Sequence, residues 1–272
     1  MGGLTGKNIS SAYKSILRVD DDTNGIDTTA ESITDGEGTK SSLFLSDDQL
    51  VVQPQNDDTT TSLLVKSKGG AGLLQVDTTN SVVKAGVGLF NVLTQYAYFG
   101  VGSAGHTSAN VAGTHYPLVF GGASAGLGLG AALSDQQNHF GTGTDPATTF
   151  TTADATDQRA SNLICYMMYV PDNISVDAVY SIEGADAATG DTTRFHLMSY
   201  TFNSGSSTCL EDGTLIAHSD DQVNAGVEQV YKNTWTVDSA SVASGKVLIC
   251  TFENDSVNSD YAYQAIIKYH LV

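Results

Sequence analysis

Short apolar runs separated by polar turns fill residues 43 to 83. The runs are LFL, LVV, LLV, LLQV and VV, and the segments between them are SDDQ, QPQNDDTTTS, KSKGGAG and DTTNS. Asp, Asn, Gly and Thr favour turns, either by local hydrogen bonding or by tolerating a left-handed backbone. Each run is too short for a helix, so the pattern predicts a series of short β-strands.

Strands of three or four residues bury little surface, and an isolated hairpin of this kind is marginally stable in water. Three chains wound about a common axis can pool such side chains and cover the exposed sheet edges. We therefore predict a trimerising β shaft over residues 41–90. The alternative is an ordinary small sandwich within one chain.

Longer strands with period-two alternation are predicted from residue 161 onward. After the apolar run NLICYMMYV come ISVDAVYSI, RFHLMSYTF, TLIAH, VEQVYKNTWTV, KVLICTF and YAYQAIIKYHLV, with turn signals between them. Alternate residues that share one face indicate half-buried strands. In two of the strands the residues predicted to face inward are Val227, Tyr231, Trp235 and Val237, and Tyr261, Tyr263, Ile267, Tyr269 and Leu271. Residues 161–272 are therefore predicted to form a jelly-roll-like β-sandwich.

Composition supports an all-β fold throughout. The chain has 28 Gly and only 4 Pro, with abundant Thr, Ser, Asp and Val, a composition typical of strands and tight turns. Residues 91–160 hold many of the glycines with interleaved aromatics and are predicted to be a Gly-rich connector. Residues 1–40 are predicted to be an anchor.

Charge and cysteine content exclude several function classes. Twelve Lys and Arg against 30 Asp and Glu give a net charge of −18, which repels phosphate backbones and anionic membranes. We expect neither a nucleic-acid partner nor membrane insertion, and the start of the chain lacks the apolar region of a signal peptide, which predicts folding in a cytoplasm. The three cysteines do not form a disulfide framework, and Cys165 and Cys250, inside apolar runs, are predicted to act as small hydrophobes.

The best candidate for a metal site is the segment DDDTNGIDTTAE. It matches the calcium-loop pattern D-x-[DN]-x-[DN]-G-x5-E, in which oxygen ligands at alternate positions surround the ion. The residues that match are Asp20, Asp22, Asn24, Gly25 and Glu31. The segment SITDGEGT that follows cannot continue a helix, so a solvated acidic turn is the alternative to a Ca²⁺ site. No other cofactor is predicted.

The sequence contains only weak matches to catalytic motifs. Gly122, Ser124 and Gly126 match G-x-S-x-G, but a nucleophile elbow needs an α/β sheet, and the surrounding chain is predicted to be β. Paired carboxylates could make a glycosidase on a β scaffold, although so acidic a chain offers no way to choose a pair. We predict that the protein is not an enzyme.

Two histidines and the tryptophan are candidates for binding. His196 and His218 lie within predicted strands without His or Cys partners at metal-ligand spacing, so they are interpreted as ordinary strand histidines. Trp235 is interpreted as a core residue in preference to a carbohydrate platform. Exposed tyrosines and loops at the tip of the sandwich are left as candidates for binding a glycan or a protein.

Residues 7–88 resemble a known family. The segment LLQVDTTNSVVKAGVG resembles the short strand-turn units of trimeric fibre and spike proteins of tailed bacteriophages, and residues 9–60 are similar to the N-terminal regions of virion structural proteins of marine phages. The resemblance implies a homotrimer that docks on other virion proteins through its N-terminus and displays the sandwich for host-surface recognition. It places the protein on the virion surface, assembled in the host cytoplasm. A capsid decoration or head-fibre protein is the alternative, and a depolymerase or esterase is the third hypothesis.

Overall fold

The computed structural model describes residues 16–21, 23–101, 111–121, 138–153, 158–185, 189–255 and 261–272. The chain divides into two compact units, Met1–Leu93 and Thr94–Val272. Within the described residues the structure consists of antiparallel sheets, with one short helix, α1 (Ala160–Leu163), followed by a turn of 3-10 helix at Ile164–Tyr166. The predicted all-β class is confirmed. No described helix has the length and apolar character that a membrane span requires.

The N-terminal unit holds two four-stranded sheets, each joined in chain order. The strands of the first are β1 (Arg18–Val19), β2 (Glu31–Thr34), β3 (Lys40–Leu45) and β4 (Leu50–Val52). The strands of the second are β5 (Leu63–Lys66), β6 (Gly72–Asp77), β7 (Val82–Ala85) and β8 (Phe90–Asn91). All five apolar runs form strands, β3 to β7. The predicted boundary between residues 40 and 41 divides a sheet, because β2 and β3 are paired.

The C-terminal unit is a sandwich of two sheets. The seven-stranded sheet contains β10 (Tyr116–Pro117), β12 (Met168–Tyr169), β14 (Thr192–Phe202), β15 (Leu210–His218), β16 (Gln222–Val223), β18 (Thr236–Val237) and β20 (Lys246–Asn254). The six-stranded sheet contains β9 (Thr94–Val101), β11 (Val119–Phe120), β13 (Ile174–Ala185), β17 (Gln229–Thr234), β19 (Ser241–Val242) and β21 (Tyr261–Leu271). Strand β13 pairs with β21 while β14 pairs with β20, so β13 and β14 lie in opposite sheets, as do β20 and β21, an arrangement found in jelly rolls.

The main core lies between the two sheets. Phe99 and Tyr263 come from the six-stranded sheet, and Phe195 and Phe252 from the seven-stranded sheet. The rings are in contact, with centroids 5.2 Å apart for Phe195 and Tyr263 and 4.6 Å apart for Phe252 and Tyr263. Trp235 is buried in the same core, as predicted, and its indole N–H donates to Ser181 Oγ at 3.0 Å.

Three predictions for this half of the chain are corrected. The sandwich starts at Thr94 and not at residue 161, because the aromatic strand β9 pairs along its length with β21. The run NLICYMMYV forms α1, the 3-10 turn and only the two-residue strand β12, which leaves Cys165 exposed. Val227 is exposed, because β17 starts only at Gln229.

A second core covers the outer face of the seven-stranded sheet. Met198 and Tyr200 of β14 face away from the main core, and residues 138–153 and 158–167 pack over them through Phe140, Phe150 and Leu163. The Tyr200 hydroxyl donates to the carbonyl oxygen of Ala147 at 2.9 Å. The chain therefore covers this face of the sandwich with its own residues.

Candidate functional site

Two adjoining depressions mark the seven-stranded sheet side of the sandwich. The larger encloses about 330 Å³ and is lined by Thr144, Asp145, Arg194, His196, Leu215, His218, Ser219, Asp220 and Asp221. The smaller, of about 160 Å³, is lined by Thr192, Arg194, Asp221, Glu253 and Asp255. They share Arg194 and Asp221, so we treat them as one feature and call it the acidic groove. Another depression, of about 450 Å³, lies beside α1, and Arg159 is the one charged residue among the described residues that line it.

Alternation along two strands places charged groups in the groove and apolar groups in the core. On β14, Arg194 and His196 face outward while Phe195 enters the main core. On β20, Glu253 faces outward next to the buried Phe252. Because successive residues of a strand point to opposite faces of the sheet, the acidic groove lies on the outer face of β14 and β20 and the main core on their inner face.

An ion pair occupies the boundary between the two depressions. Arg194 Nε donates to Asp221 Oδ1 at 2.6 Å. This hydrogen bond is the main reason that the pKa of Arg194 is raised above its usual value. Because the guanidinium retains donors that Asp221 does not use, it can also bind an acceptor on a ligand.

His196, which lines the acidic groove, contacts a second buried imidazole. The rings of His115 and His196 meet edge to face with centroids 4.9 Å apart, and both residues are buried. His115 Nε2 lies 2.8 Å from the carbonyl oxygen of Gly143; because a carbonyl only accepts, this nitrogen carries the proton. The Nδ1 atoms of both rings are buried without a hydrogen-bond partner among the described residues.

Burial keeps His196 neutral at physiological pH. Its pKa is lowered to about 3, chiefly by desolvation and secondarily by the proximity of His115. Its Nε2 lies 3.6 Å from Asp145 Oδ1. His218, opposite His196 in the β14–β15 ladder, instead places Nδ1 2.8 Å from Asp238 Oδ2 at the half-exposed rim.

A polar cluster lies on the inner side of the same strands, between the two sheets. Glu183 of β13 accepts a hydrogen bond through Oε1 from the Thr193 hydroxyl of β14 at 2.9 Å. Asn254 Nδ2 donates to Thr193 Oγ1 at 2.9 Å and to the Tyr263 hydroxyl at 3.2 Å. Glu183 Oε2 is buried and unpartnered among the described residues. Burial raises the pKa of Glu183 to about 7.

The groove offers carboxylates, a guanidinium, hydroxyls and imidazoles, the groups that hydrogen-bond to hydroxyl-rich or cationic ligands. Among the described residues, no three or more His, Cys, Asp or Glu side chains are grouped closely enough to hold a metal ion. Sequence reasoning selected His196 and His218 but missed His115, Arg194 and Glu183. The pattern Arg-Phe-His at 194–196 places Arg194 and His196 on one face and could have signalled the groove.

The predicted calcium ligands are only partly within the described structure. Asp22 lies outside it, as do Gly122, Ser124 and Gly126 of the esterase-like motif. The Asp20 carboxylate lies 3.0 Å from Lys40 Nζ, and Glu31 is the first residue of β2. The backbone N–H of Asn24 donates to Asp21 at 3.1 Å, and this bond is the main reason that the pKa of Asp21 is lowered.

Chelation tests the calcium hypothesis. We expect EDTA to leave the melting temperature unchanged, because Lys40 already offsets the charge of Asp20 and backbone N–H groups bind Asp21. A bound ion would instead add the free energy of its binding to stability. The measurement is the melting temperature with EDTA and with millimolar CaCl₂. A rise with calcium that Glu31→Gln abolishes would establish the site.

Comparison with known proteins identifies no family. No protein-family model matches the sequence, and no curated protein matches it. Among solved structures, the Eiger TNF of S. frugiperda overlaps with 10% identity and a TM-score of 0.29, covering 66% of this chain and 92% of that chain. Infectious bursal disease virus structures overlap with a TM-score of 0.15: the Gx strain at 12% identity, covering 75% of this chain and 72% of that chain, and the Gt strain at 10%, covering 77% and 71%. TM-scores this low carry no argument about fold or function.

Proposed function

We propose that this protein is a non-enzymatic structural component of a tailed-phage virion, a short homotrimeric fibre or spike that is attached by its N-terminal unit and displays the sandwich for host-surface recognition. The observation that carries the proposal is the small number of buried apolar side chains in the described part of the N-terminal unit. Among its described residues, Ile33 and Val82 are the only buried hydrophobic residues. Two such side chains contribute about 3 to 6 kcal/mol, far less than ordering eight strands costs.

Apolar side chains of this unit are exposed instead. The large hydrophobic residues with exposed side chains are Ile16, Leu17, Ile26, Leu43, Leu50, Leu63, Val65, Leu73, Val87, Phe90 and Val92. An exposed apolar surface of this extent in a small unit indicates association with another protein surface. Other copies of the same chain supply that surface in the proposed assembly.

The second sheet of the unit has one face made of apolar residues. The cross-strand neighbours Leu63, Val76 and Val83 form one row, and Val65, Leu74, Ala85 and Phe90 form the next. We call these seven residues the aliphatic face; all are half-buried or exposed in the single chain. The opposite face carries the buried polar residues Gln75 and Asp77. The aliphatic face is therefore the surface through which we expect copies to pack.

The proposed number of chains, three, and the proposed location on the virion rest on the resemblance of residues 7–88 to phage fibre and spike proteins. The sandwich carries the recognition function in this proposal. Its acidic groove is the surface that we assign to a host glycan or protein, because it combines a guanidinium with several carboxylates. Such groups discriminate between ligands by their hydrogen bonds.

Solution mass tests the assembly. We expect the full-length protein to have three times the 28.4 kDa mass of one chain by light scattering. Val65→Asp, on the aliphatic face, should reduce the mass to one chain, because burying an unpaired carboxylate is costly. Leu73→Asp is the matched control: its side chain is exposed to a similar extent, 41% against 45% for Val65, but lies on the opposite face of β6.

Either of two results would contradict the proposal. One is a one-chain mass for the wild type at micromolar concentration. The other is a three-chain mass that Val65→Asp and Leu73→Asp retain equally. Leu73→Asp should keep the far-ultraviolet circular dichroism of the wild type, whereas Val65→Asp should keep the signal of the sandwich and lose that of the N-terminal strands, because that unit buries too few apolar side chains to stay ordered in a single chain.

A further inference from the structure

The outer face of the six-stranded sheet is uncovered in the described chain, unlike that of its partner sheet. Strands β9, β13 and β21 alternate between residues in the main core and residues directed away from it. The outward set includes Tyr96, Tyr98, Tyr180, Ile182 and Ile266, which we call the tyrosine face. Tyr98 and Tyr180 both pair with Ile266 from opposite sides, so three large side chains form a continuous row across three strands.

The chemistry of this face is that of a protein contact. Tyrosine is enriched in protein interfaces because it has a large apolar ring with a polar tip and loses little conformational entropy. The Lys232 ammonium lies 5.4 Å from the Tyr180 ring centroid. Five strands about 4.8 Å apart and about 8 residues long give a face of roughly 600 Å², close to the roughly 800 Å² that each partner contributes to a standard interface.

Charge favours this face for contact between copies. Residues 85–272 contain 18 acidic and 5 basic residues, so two sandwiches repel each other over most orientations. On the four long strands of this sheet, β9, β13, β17 and β21, the charged residues that face outward are Asp177, Lys232 and Lys268. Together they give the face a net charge of +1. The tyrosine face is thus a part of the sandwich where copies approach without like-charge repulsion.

The short connection between β8 and β9 favours a second copy of this chain as the partner of the tyrosine face. Only Val92 and Leu93 separate β8 from β9, and Tyr96 and Tyr98 lie on β9. An assembly through the N-terminal unit therefore tethers the β9 strands of neighbouring copies by short links. Tethering raises the effective concentration of the sandwiches to about millimolar, at which even a weak face contact forms.

We propose that the tyrosine face is a second interface between copies of this chain, which packs against a neighbouring sandwich in the trimer. A three-fold contact is heterologous, so the face meets a different surface of the neighbour. This inference rests on the proposed trimer and adds the sandwich to its interface. The N-terminal unit and the sandwich then stabilise the assembly together.

A dilution series of the full-length protein tests the inference, with light scattering to follow dissociation. Tyr98→Glu is expected to raise the dissociation concentration at least tenfold. Tyr96→Glu, two residues away on the same face, should act alike. Tyr169→Glu is the matched control, since Tyr169 is an exposed tyrosine of β12 in the other sheet, and it should leave the concentration within twofold of the wild-type value.

The outcomes separate the two proposals. A wild-type trimer whose dissociation is shifted equally by Tyr98→Glu, Tyr96→Glu and Tyr169→Glu, or by none of them, would overturn the tyrosine interface and leave the proposed function standing. A wild type that is monomeric throughout would overturn both. A selective shift by the two variants on the face would establish the interface. Thermal unfolding verifies that each variant is folded.

Discussion

Glu183→Gln is expected to stabilise the protein at pH 8 by about 3 kcal/mol. Glu183 lies between the sheets with one carboxylate oxygen bonded to Thr193 and the other unpartnered among the described residues. Its pKa is raised from 4.5 to about 7, mainly by burial. Each pKa unit corresponds to about 1.4 kcal/mol, so ionising this group costs the folded state several kcal/mol that glutamine avoids.

The direction in which Glu183 changes stability with pH follows from proton binding. Because the pKa is higher in the folded than in the unfolded state, the folded protein binds more protons between pH 4.5 and 7. Stability from this group is complete below about pH 4.5 and is lost as the pH rises through 7. The advantage of Glu183→Gln should therefore be absent at pH 4.5, grow above it, and level off near pH 8.

His196 has the opposite effect. Its pKa is lowered from 6.5 to about 3 by burial, so its contribution is complete above pH 6.5 and is lost as the pH falls towards 3. Between pH 4.5 and 6.5, the folded state holds a proton on Glu183 and the unfolded state holds one on His196. The effects of the two groups on the pH dependence of the free energy of unfolding therefore cancel in this interval. In Glu183→Gln only the effect of His196 remains, so the free energy of unfolding should rise with pH by up to about 1.4 kcal/mol per pH unit.

Urea denaturation from pH 5 to 8 measures this difference. Glu228→Gln, at an exposed glutamate in a loop, is the control for removing one negative charge. The difference between Glu183→Gln and the wild type cancels the titration of the other carboxylates, provided that they do not contact the site. A constant difference across this pH range would mean that Glu183 is ionised in the folded protein at pH 5, which contradicts the buried position.

Local patterns in the sequence were sufficient to locate most strands. The alternation in YAYQAIIKYHLV predicted the inward face of β21, and Tyr261, Tyr263 and Ile267 lie in the core as expected. In NLICYMMYV the apolar residues form a continuous run, which does not distinguish a strand from a helical turn. Here the segment becomes α1 and a 3-10 turn that cover the outside of the seven-stranded sheet.

Long-range pairing could not be predicted. Strand β9 belongs to the sandwich because it pairs with β21, about 170 residues later in the chain, and no local signal indicates such a partner. The candidate site has the same origin: His115 meets His196 only through the fold, and Glu183 meets Thr193 only because two sheets stack. The sequence predicted most of the residues that face inward, with Val227 as an exception, but it did not predict which charged groups lie beside each other.

Gly213→Ala is expected to destabilise the sandwich by about 3 kcal/mol, the upper part of the range for overpacked cores. Gly213 lies in β15 at a bulge, where Asp212 has a φ of 52° and two residues oppose Tyr200 of β14. A β-carbon at Gly213 would lie 2.7 Å from Thr148 Cα and 2.7 Å from Tyr200 Cε1. The first of these neighbours is backbone, which cannot rotate away.

The second core transmits this change to the groove. Gly213 N–H donates to the carbonyl oxygen of Thr148 at 2.9 Å, so the glycine fixes residues 138–153 against the sheet. Displacing Thr148 would also move Ala147 away from the Tyr200 hydroxyl that binds it. Asp145, three residues before Thr148, lines the acidic groove, so the variant should perturb the groove as well as stability.

Gly184→Ala provides the control, because Gly184 lies within β13 and its added β-carbon would meet only Ala262 Cβ at 4.0 Å. Alanine is preferred over glycine within a strand by about 0.5 to 1 kcal/mol, so this variant should be neutral or slightly stabilising. Urea denaturation compares the two variants, and hydrogen exchange of residues 138–153 reports on the second core. If Gly213→Ala unfolded at the same urea concentration as Gly184→Ala, Thr148 would not be held against β15, and the groove wall that contains Asp145 would move independently of the sheet.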